Sequence, residues 1–294
     1  MRQEKKIVQT FYETFGWVRN DRGNYNDTEA FVDRRPVLAS YDRRVHRRIQ
    51  ACLKADGRFF LDAGSGPLPN PEDLNYSARY GRRVCVDFSR AALVGARDVL
   101  GDRGFYVLAD VTMLPFVDCA FAASLAAHVL YHLPPDEQVK AVTELTRTLA
   151  PGCVGVILYR CRRSLLSRLG ATWGRLRTNR PALSSRGLAA AGNCQTREVD
   201  RVTRPPLFSY AHRAGWFARC LRARDDFEIE VRVWRTADWQ FTRAVVPDGV
   251  IGRLIMSTIG TLETLFPRAI LWLGGFPMIV IRKRESRAHH CAAE

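Results

Sequence analysis

Apolar positions along the chain follow two alternating rhythms. Short apolar runs occur at residues 59–61, 83–89, 106–111, 120–127 and 154–159, and the first three lead into an acid, Asp62, Asp87 and Asp110. Such runs, bounded by turn residues, predict buried strands. Between them lie stretches with helical spacing. Val139, Val142, Leu145 and Leu149 recur on one face after a Pro134-Pro135-Asp136 start, and Pro151-Gly152 reads as the stop. Strands alternating with helices imply right-handed crossovers and a parallel sheet, whose strand carboxyl ends share one edge. Asp62, Asp87 and Asp110 are therefore expected to converge on one crevice. Gly64 and Gly66 follow the first strand, and glycine serves where a side chain would block a left-handed backbone or the approach of a ligand. Asp62 is expected to face that ligand.

The same rhythms organise the flanks. Residues 1–57 read as a helical cap, with Ile7, Val8, Phe11, Tyr12 and Phe15 at helical spacing up to Gly16, a polar connection at 20–28, and a second amphipathic stretch at 37–53. Residues 58–160 form the core, and 161–226 read as an insertion or substrate lid after the fifth strand, with a helix at 164–177 and then Pro, Gly and Ser. Residues 227–285 return to the core sheet through a strand at 227–234, an apolar helix at 250–265 and a last strand at 278–282, leaving 286–294 as an unstructured tail. No internal repeat and no second independent domain is read from the pattern.

Composition narrows the classes. With 294 residues and 47% apolar content the chain can bury a large core. The longest uncharged apolar run, 269–281, is shorter than the roughly 18 residues a membrane helix needs and holds Gly274, Gly275 and Pro277. Charged residues without an apolar run at the N-terminus predict no signal peptide. Eight cysteines without a C-x-x-C pair suggest reduced thiols in a cytoplasmic protein and no zinc site, and His289-His290-Cys291 is assigned no function. The formal charge is +15, yet only five of 45 basic residues are lysines, a bias that coding can produce as readily as selection for a polyanion. Residues 160–204 hold 11 arginines against Glu198 and Asp200. They could meet an acidic substrate, nucleic acid or a membrane surface; solvated surface is the plainer reading. Aromatic residues are sparse there, which weakens a stacking platform for bases.

The segments LDAGSGP, VCVDFS, LADVTMLPF, HVLYHLPPDEQ and ELTRTLAPG, in this order, resemble the class I S-adenosylmethionine-dependent methyltransferases, in the small-molecule branch that includes quinone-type enzymes. The resemblance covers roughly residues 58–160. It implies a Rossmann-like, mostly parallel seven-stranded sheet with helices on both faces, the last strand antiparallel. It also implies that Asp62, Ala63, Gly64, Ser65 and Gly66 approach the methionyl part of S-adenosylmethionine, with Ala127 and His128 close by. Asp87 with Phe88 would take the ribose hydroxyls, and Asp110 with Val111 the adenine. An ionised carboxylate is acceptor-only, which suits two hydroxyl donors. Two departures stand out. Leu68 replaces the third glycine of a G-x-G-x-G pattern, and the following helix starts late, near Pro71, with Asn70 as a cap. Asp118 is read as a turn residue. A nicotinamide enzyme would want a glycine where Pro69 stands, so a dehydrogenase ranks well below.

For catalysis, His132 and Tyr131 lie just beyond the fourth strand. His132 could act as a base, although H-L-P at this point recurs across the resembling family and a structural histidine is the favoured reading. Tyr12, Trp17, Tyr41 and His212 are candidates for the acceptor pocket, with core packing as the plain alternative. The expected activity is metal-independent methyl transfer to oxygen or carbon of a small organic acceptor. The alternatives are an RNA methyltransferase gripping phosphates through the arginine-rich insertion and a cofactor-binding partner protein without turnover. A nucleic-acid partner is the weaker reading.

Overall fold

The computed structural model describes residues 2–53, 56–160, 166, 168–170, 172–173, 204–213, 215–221, 224–273 and 276–285. The expectations for most of the arginine-rich stretch, for the helix at 164–177 beyond residue 173 and for the tail at 286–294 lie outside the described residues. Along the chain run α1 (Gln3–Phe11), a π turn (Tyr12–Gly16), α2 (Asn26–Phe31), a 3-10 turn (Pro36–Leu38) and α3 (Ala39–Gln50). The sheet region follows with β1 (Gly57–Ala63), a 3-10 segment (Pro71–Ser77), β2 (Tyr80–Asp87), α4 (Arg90–Leu100), β3 (Gly104–Leu108), β4 (Phe121–Ala127), α5 (Pro135–Thr148) and β5 (Leu149–Leu158). Then come α6 (Trp216–Cys220), β6 (Phe227–Arg235), α7 (Trp239–Val245), α8 (Val250–Leu265), α9 (Pro267–Leu273) and β7 (Phe276–Lys283).

The chain divides into two compact units. One comprises Met1–Arg48, Arg160–Ala214 and Arg232–Pro277, the other Ile49–Tyr159, Gly215–Val231 and Met278–Glu294. The second carries most of the sheet, in the order β3-β2-β1-β4-β5-β7-β6. β1 pairs in parallel with β2 and β4, β2 with β3, and β4 with β5, while β7 runs antiparallel to β5. This is the Rossmann-like, mostly parallel seven-stranded sheet that the alternation and the resemblance imply. Central strands are buried almost throughout: Phe60, Leu61, Cys85, Val86, Leu125, Ala126, Val156 and Ile157 have essentially no exposure. Continuous apolar runs are what a parallel strand covered on both faces requires.

Local chemistry sets the helix ends. Ser89 caps α4, its side chain accepting from the Ala92 N–H at 3.3 Å, and Gly101 at φ 53° ends the helix. α5 starts on Pro135, with Asp136 and Glu137 in its first turn to complement the helix dipole. It ends at Thr148 and passes straight into β5, so Pro151-Gly152 lies within a strand and is no helix stop. Asn70 departs from expectation too. Its side chain caps no helix; Nδ2 donates instead to Asp73 at 3.1 Å, beside a 3-10 segment. Asp118 accepts from Arg147 Nη1 at 2.7 Å, next to Cys119 at φ 60°, in keeping with a turn.

The first unit is tied by buried polar groups. Arg35 pairs with Asp33 at 2.8 Å and donates to the Thr242 and Val246 carbonyls at 2.7 and 2.9 Å. Glu263 on α8 accepts from Tyr41 (2.6 Å), Arg48 (2.8 Å) and the Thr236 N–H (2.8 Å). Asp238 caps α7 through the Phe241 N–H at 2.9 Å.

Candidate active site

The glycine turn sits where the sequence places it, at the carboxyl end of β1. Gly64 and Gly66 have φ of 70° and 58°, and the Gly64 and Ser65 N–H groups both donate to the Val86 carbonyl, at 2.6 and 3.1 Å. The turn is thereby folded against the end of β2. A Cβ on Gly64 would stand 2.1 Å from Val129 Cγ2, so the glycine answers both to its backbone and to a side chain of its own protein. Leu68, the departure from the three-glycine pattern, keeps the left-handed conformation at φ 54°. Its side chain is buried with Cys85, Leu93, Ala96 and Leu100. Packing holds there what a glycine would give without strain.

Asp87 ends β2 and is buried. Its Oδ2 accepts from the Gly66 N–H at 3.0 Å and its Oδ1 from the Ser89 N–H at 2.9 Å. One carboxylate thus joins the glycine turn to the start of α4. Burial pushes its carboxyl up to about 6, against the pull of these backbone donors. Asp110 lies two residues beyond β3, in a turn that its own Oδ1 closes by accepting from the Thr112 N–H (2.9 Å) and hydroxyl (2.8 Å). The Ala109 N–H reaches the Asp87 carbonyl at 3.1 Å, and Val111 is buried beside this turn. Ala127 closes β4, and His128 follows at φ 62°, its N–H donating to the Leu158 carbonyl at 3.1 Å. A non-glycine residue in that conformation is uncommon, and such residues cluster at functional sites. Since β1, β2, β3 and β4 are parallel neighbours, Ala63 to Gly66, Asp87, Phe88, Asp110, Val111, Ala127 and His128 line one edge of the sheet.

Asp62, the acid the sequence places toward a ligand, is held by its own chain: its Oδ2 accepts from both Nε, at 2.9 Å, and Nη2 of Arg83, and both side chains are at most 3% exposed. A carboxylate taken this far out of water needs a counter-charge and hydrogen bonds, and Arg83 on the neighbouring strand supplies them. Arg83 also donates to the Asp73 carbonyl at 2.6 Å, so the pair anchors the segment after the glycine turn. Nearby Asp73 is pushed up to about 6 by burial, with Arg83 opposing.

Tyr131 and His132 lie in a 3-10 turn after β4, with the His132 N–H on the Val129 carbonyl at 2.9 Å. Their rings are 4.5 Å apart, and Tyr131 meets Tyr159 edge-on at 5.9 Å. Tyr159 in turn donates to Gln138 at 2.8 Å and packs on Phe217 at 5.0 Å. The pair therefore belongs to a packed aromatic group at the same sheet edge.

The remaining candidates belong to the first unit. Tyr12 and Trp17 stack at 4.8 Å with an interplanar angle of 18°, and Tyr25 meets Trp17 edge-on at 6.0 Å. Tyr41 is buried with its hydroxyl committed to Glu263. His212 packs edge-on against Tyr210 at 5.0 Å, and burial lowers its pKa. Two residues that the sequence did not single out join this unit's aromatic group. The Arg204 guanidinium lies over the rings of Phe31, Phe11 and Phe15, at 4.7, 5.3 and 5.5 Å. Asp27 is pushed up to about 7 by burial, with the Arg204 charge opposing. Asp27 Oδ1 and Arg204 Nη1 are both enclosed and have no hydrogen-bond partner among the described residues. Asp27 was hidden in a stretch read as a polar connection, and Arg204 at the end of an arginine-rich run.

The site so far is a mostly parallel sheet with a glycine turn and a buried carboxylate at its carboxyl edge, and comparison narrows the class. Residues 61–157, from β1 to β5, match the family model described as a methyltransferase domain. No curated protein matches the chain in sequence. Among solved structures, DhpI in complex with S-adenosylhomocysteine is similar over 96% of this chain and 97% of its own, with a TM-score of 0.54 and 13% identity. The protein crystallised with the Haloferax volcanii Trm112 methyltransferase activator gives 0.51 at 14% identity, over 86% and 95% of the two chains. Haemonchus contortus phosphoethanolamine N-methyltransferase 1 gives 0.50 at 10% identity, over 87% and 46%. At such identities the likeness is one of fold.

Proposed function

We propose that the chain is an S-adenosylmethionine-dependent enzyme that methylates oxygen or carbon of a small organic acceptor, without a metal. The observation that carries this reading is Asp87, a buried carboxylate at the end of β2 that is held by backbone N–H groups of the flanking turns, among them those of Gly66 and Ser89, and by no cation among the described residues. An ionised carboxylate has about four acceptor directions, so capacity remains for a ribose hydroxyl. The residues present fit the cofactor: two left-handed glycines form the turn beside Asp87, and Asp110 and Val111, just past the end of the adjacent strand, stand for the adenine. When bound, S-adenosylmethionine supplies a methyl group already activated on a sulfonium. The protein's remaining tasks are alignment and, for a hydroxyl or carbon acid, removal of a proton.

Asp87 would orient the cofactor through its ribose, and the Gly64 to Gly66 turn would set the position of its methionyl end, next to His128. For the acceptor we infer contacts from Tyr12, Trp17 and His212, with Tyr41 a frame residue because its hydroxyl already serves Glu263. His132 is proposed as the proton acceptor and Tyr131 as its ring partner. The reading is tested by calorimetric titration with S-adenosylmethionine and, separately, NADH. Micromolar binding of the first alone, weakened at least tenfold in a folded Asp87→Ala variant, is the expected result. Acceptors are then screened by mass gain of one methyl group. Failure of the folded protein to bind S-adenosylmethionine would overturn the proposal.

A further inference from the structure

α8 is amphipathic in the inverted sense. The side it buries carries Gly252, Met256, Gly260 and Glu263. The side it exposes carries Val250, Ile251, Leu254, Leu262 and Leu265, at 61, 66, 62, 40 and 65% exposure. At about 100° per residue these five fall within one arc of roughly 120°. Ser257, Thr258 and Thr261, which lie on the same arc or at its border, are uncharged. Phe266, 57% exposed, extends the strip past the helix end. A helix at the surface of a soluble domain ordinarily turns its aliphatic residues inward, and a contiguous exposed apolar strip marks an interaction surface.

Two devices within this unit hold α8 in that orientation. A Cβ on Gly252 would stand 1.8 Å from the Pro247 carbonyl oxygen and 2.8 Å from Val37 Cγ2, and one on Gly260 would stand 2.5 Å from Arg44 Nη1. At Gly252 the helix backbone thus lies directly on main chain, where a larger residue could not be turned in, while Gly260 makes room for the Arg44 side chain. Glu263 is the second device, held by Tyr41, Arg48 and Thr236. Rolling the leucines inward would expel a buried carboxylate from all of these partners at once.

We propose that this strip docks on an anionic membrane surface, with α8 lying in the headgroup boundary. The charges select this occupant. From residue 249 to 273 the charged residues apart from the buried Glu263 are Arg253 and Arg268, both exposed and both basic. Asp248, just before the helix, is paired with Arg35. Apolar residues on one face with arginines beside them are the pattern of an interfacial helix. The formal charge of +15 draws the chain to anionic lipid and opposes association with a second copy carrying the same charge. No helix among the described residues is long and apolar enough to cross a membrane, so the contact is one of lying on the surface.

The test is co-sedimentation of the full chain with vesicles of phosphatidylcholine alone and of phosphatidylcholine with phosphatidylglycerol. Pelleting with the anionic vesicles is expected, at least tenfold weaker on the neutral ones. In a Leu254→Glu/Leu265→Glu variant the anionic binding should fall at least tenfold, while circular dichroism, melting temperature and cofactor affinity stay unchanged, since neither side chain is part of the packed interior. A wild-type chain that stays in the supernatant with anionic vesicles, or a folded double variant that binds as tightly, overturns the proposal. Light scattering that shows a dimer which the same substitutions convert to monomer also overturns it, by assigning the strip to a second copy.

Discussion

The carboxyl of Asp87 makes the pH dependence of cofactor binding a sharp test of the site. Burial raises it to about 6. If the ribose hydroxyls are accepted by the ionised form, affinity follows the ionised fraction, which falls from about nine-tenths at pH 7 to about one-tenth at pH 5 for such a group. The dissociation constant for S-adenosylmethionine should therefore rise about tenfold between these values. A carboxyl at the ordinary ~3.9 would change it by roughly a tenth over the same interval, so the two cases separate cleanly. The sign reverses for the free protein. A folded-state pKa above the unfolded one contributes stability that is present below the unfolded value and lost as pH rises through about 6. Calorimetry at pH 5, 6 and 7, with circular dichroism at each, measures the first effect, and Asp87→Asn should bind weakly with no pH slope. A wild-type dissociation constant that moves less than about twofold, in protein folded throughout, would refute the assignment of the ribose to Asp87.

Three further outcomes follow from buried groups. Arg83→Met should destabilise by about 3–5 kcal/mol, because it leaves the Asp62 carboxylate buried without its partner; the double variant Asp62→Leu/Arg83→Met should lose less than the single one in urea denaturation. Asp27, raised to about 7, makes the folded protein less stable as pH climbs from about 4 to 7, by up to the order of 4 kcal/mol at about 1.4 kcal/mol per unit. Melting temperatures of Asp27→Asn should lack that decline, and an identical profile would remove the buried-acid assignment. At Leu68, alanine loses the buried side chain and keeps the left-handed strain, whereas glycine loses the side chain and the strain together. Leu68→Ala should therefore be less stable than Leu68→Gly by about 1–2 kcal/mol, the reverse of the order expected in a helix or strand interior.

The sheet was legible because its central strands are buried on both faces and read as unbroken apolar runs. Where the environment changes, the boundaries drift. β3 was read at 106–111 and lies at Gly104–Leu108. It is an edge strand with Phe105 and Leu108 exposed, so apolarity there does not report burial, and the Asp110 turn follows the strand. β5 begins at Leu149, ahead of the expected 154, because Pro151 and Gly152 sit in an irregular stretch where the pairing with β4 shifts register. α8 was read with its observed bounds, yet its orientation was hidden: periodicity reports a face without saying which way it points. The first unit was hidden more deeply. It is assembled from three separated stretches, and its ties, such as Asp33 with Arg35 and Thr242 or Glu263 with Tyr41 and Arg48, join residues whose separation carries no local signal.

The partner of each buried acid separates structural from functional candidates better than the motif does. Asp33, Asp62 and Glu263 all pair with an arginine, at 2.8 Å for Asp33 and Glu263. A carboxylate so paired has spent its charge on a cation of the same chain and holds strands and helices together. Asp87 is compensated differently, by backbone N–H groups of Gly66, Ser89 and Phe88. Dipoles stabilise a buried charge less completely than a guanidinium does, which is why this carboxyl remains raised. Hydroxyl donors arriving from a ligand would complete its solvation, and the free energy recovered would appear as affinity. Asp62 and Asp87 end neighbouring strands of one sheet and look equivalent in the sequence. Arg83, on the same strand as Asp87, makes the first a structural anchor, and the second, without such a partner among the described residues, is the one proposed to meet the cofactor.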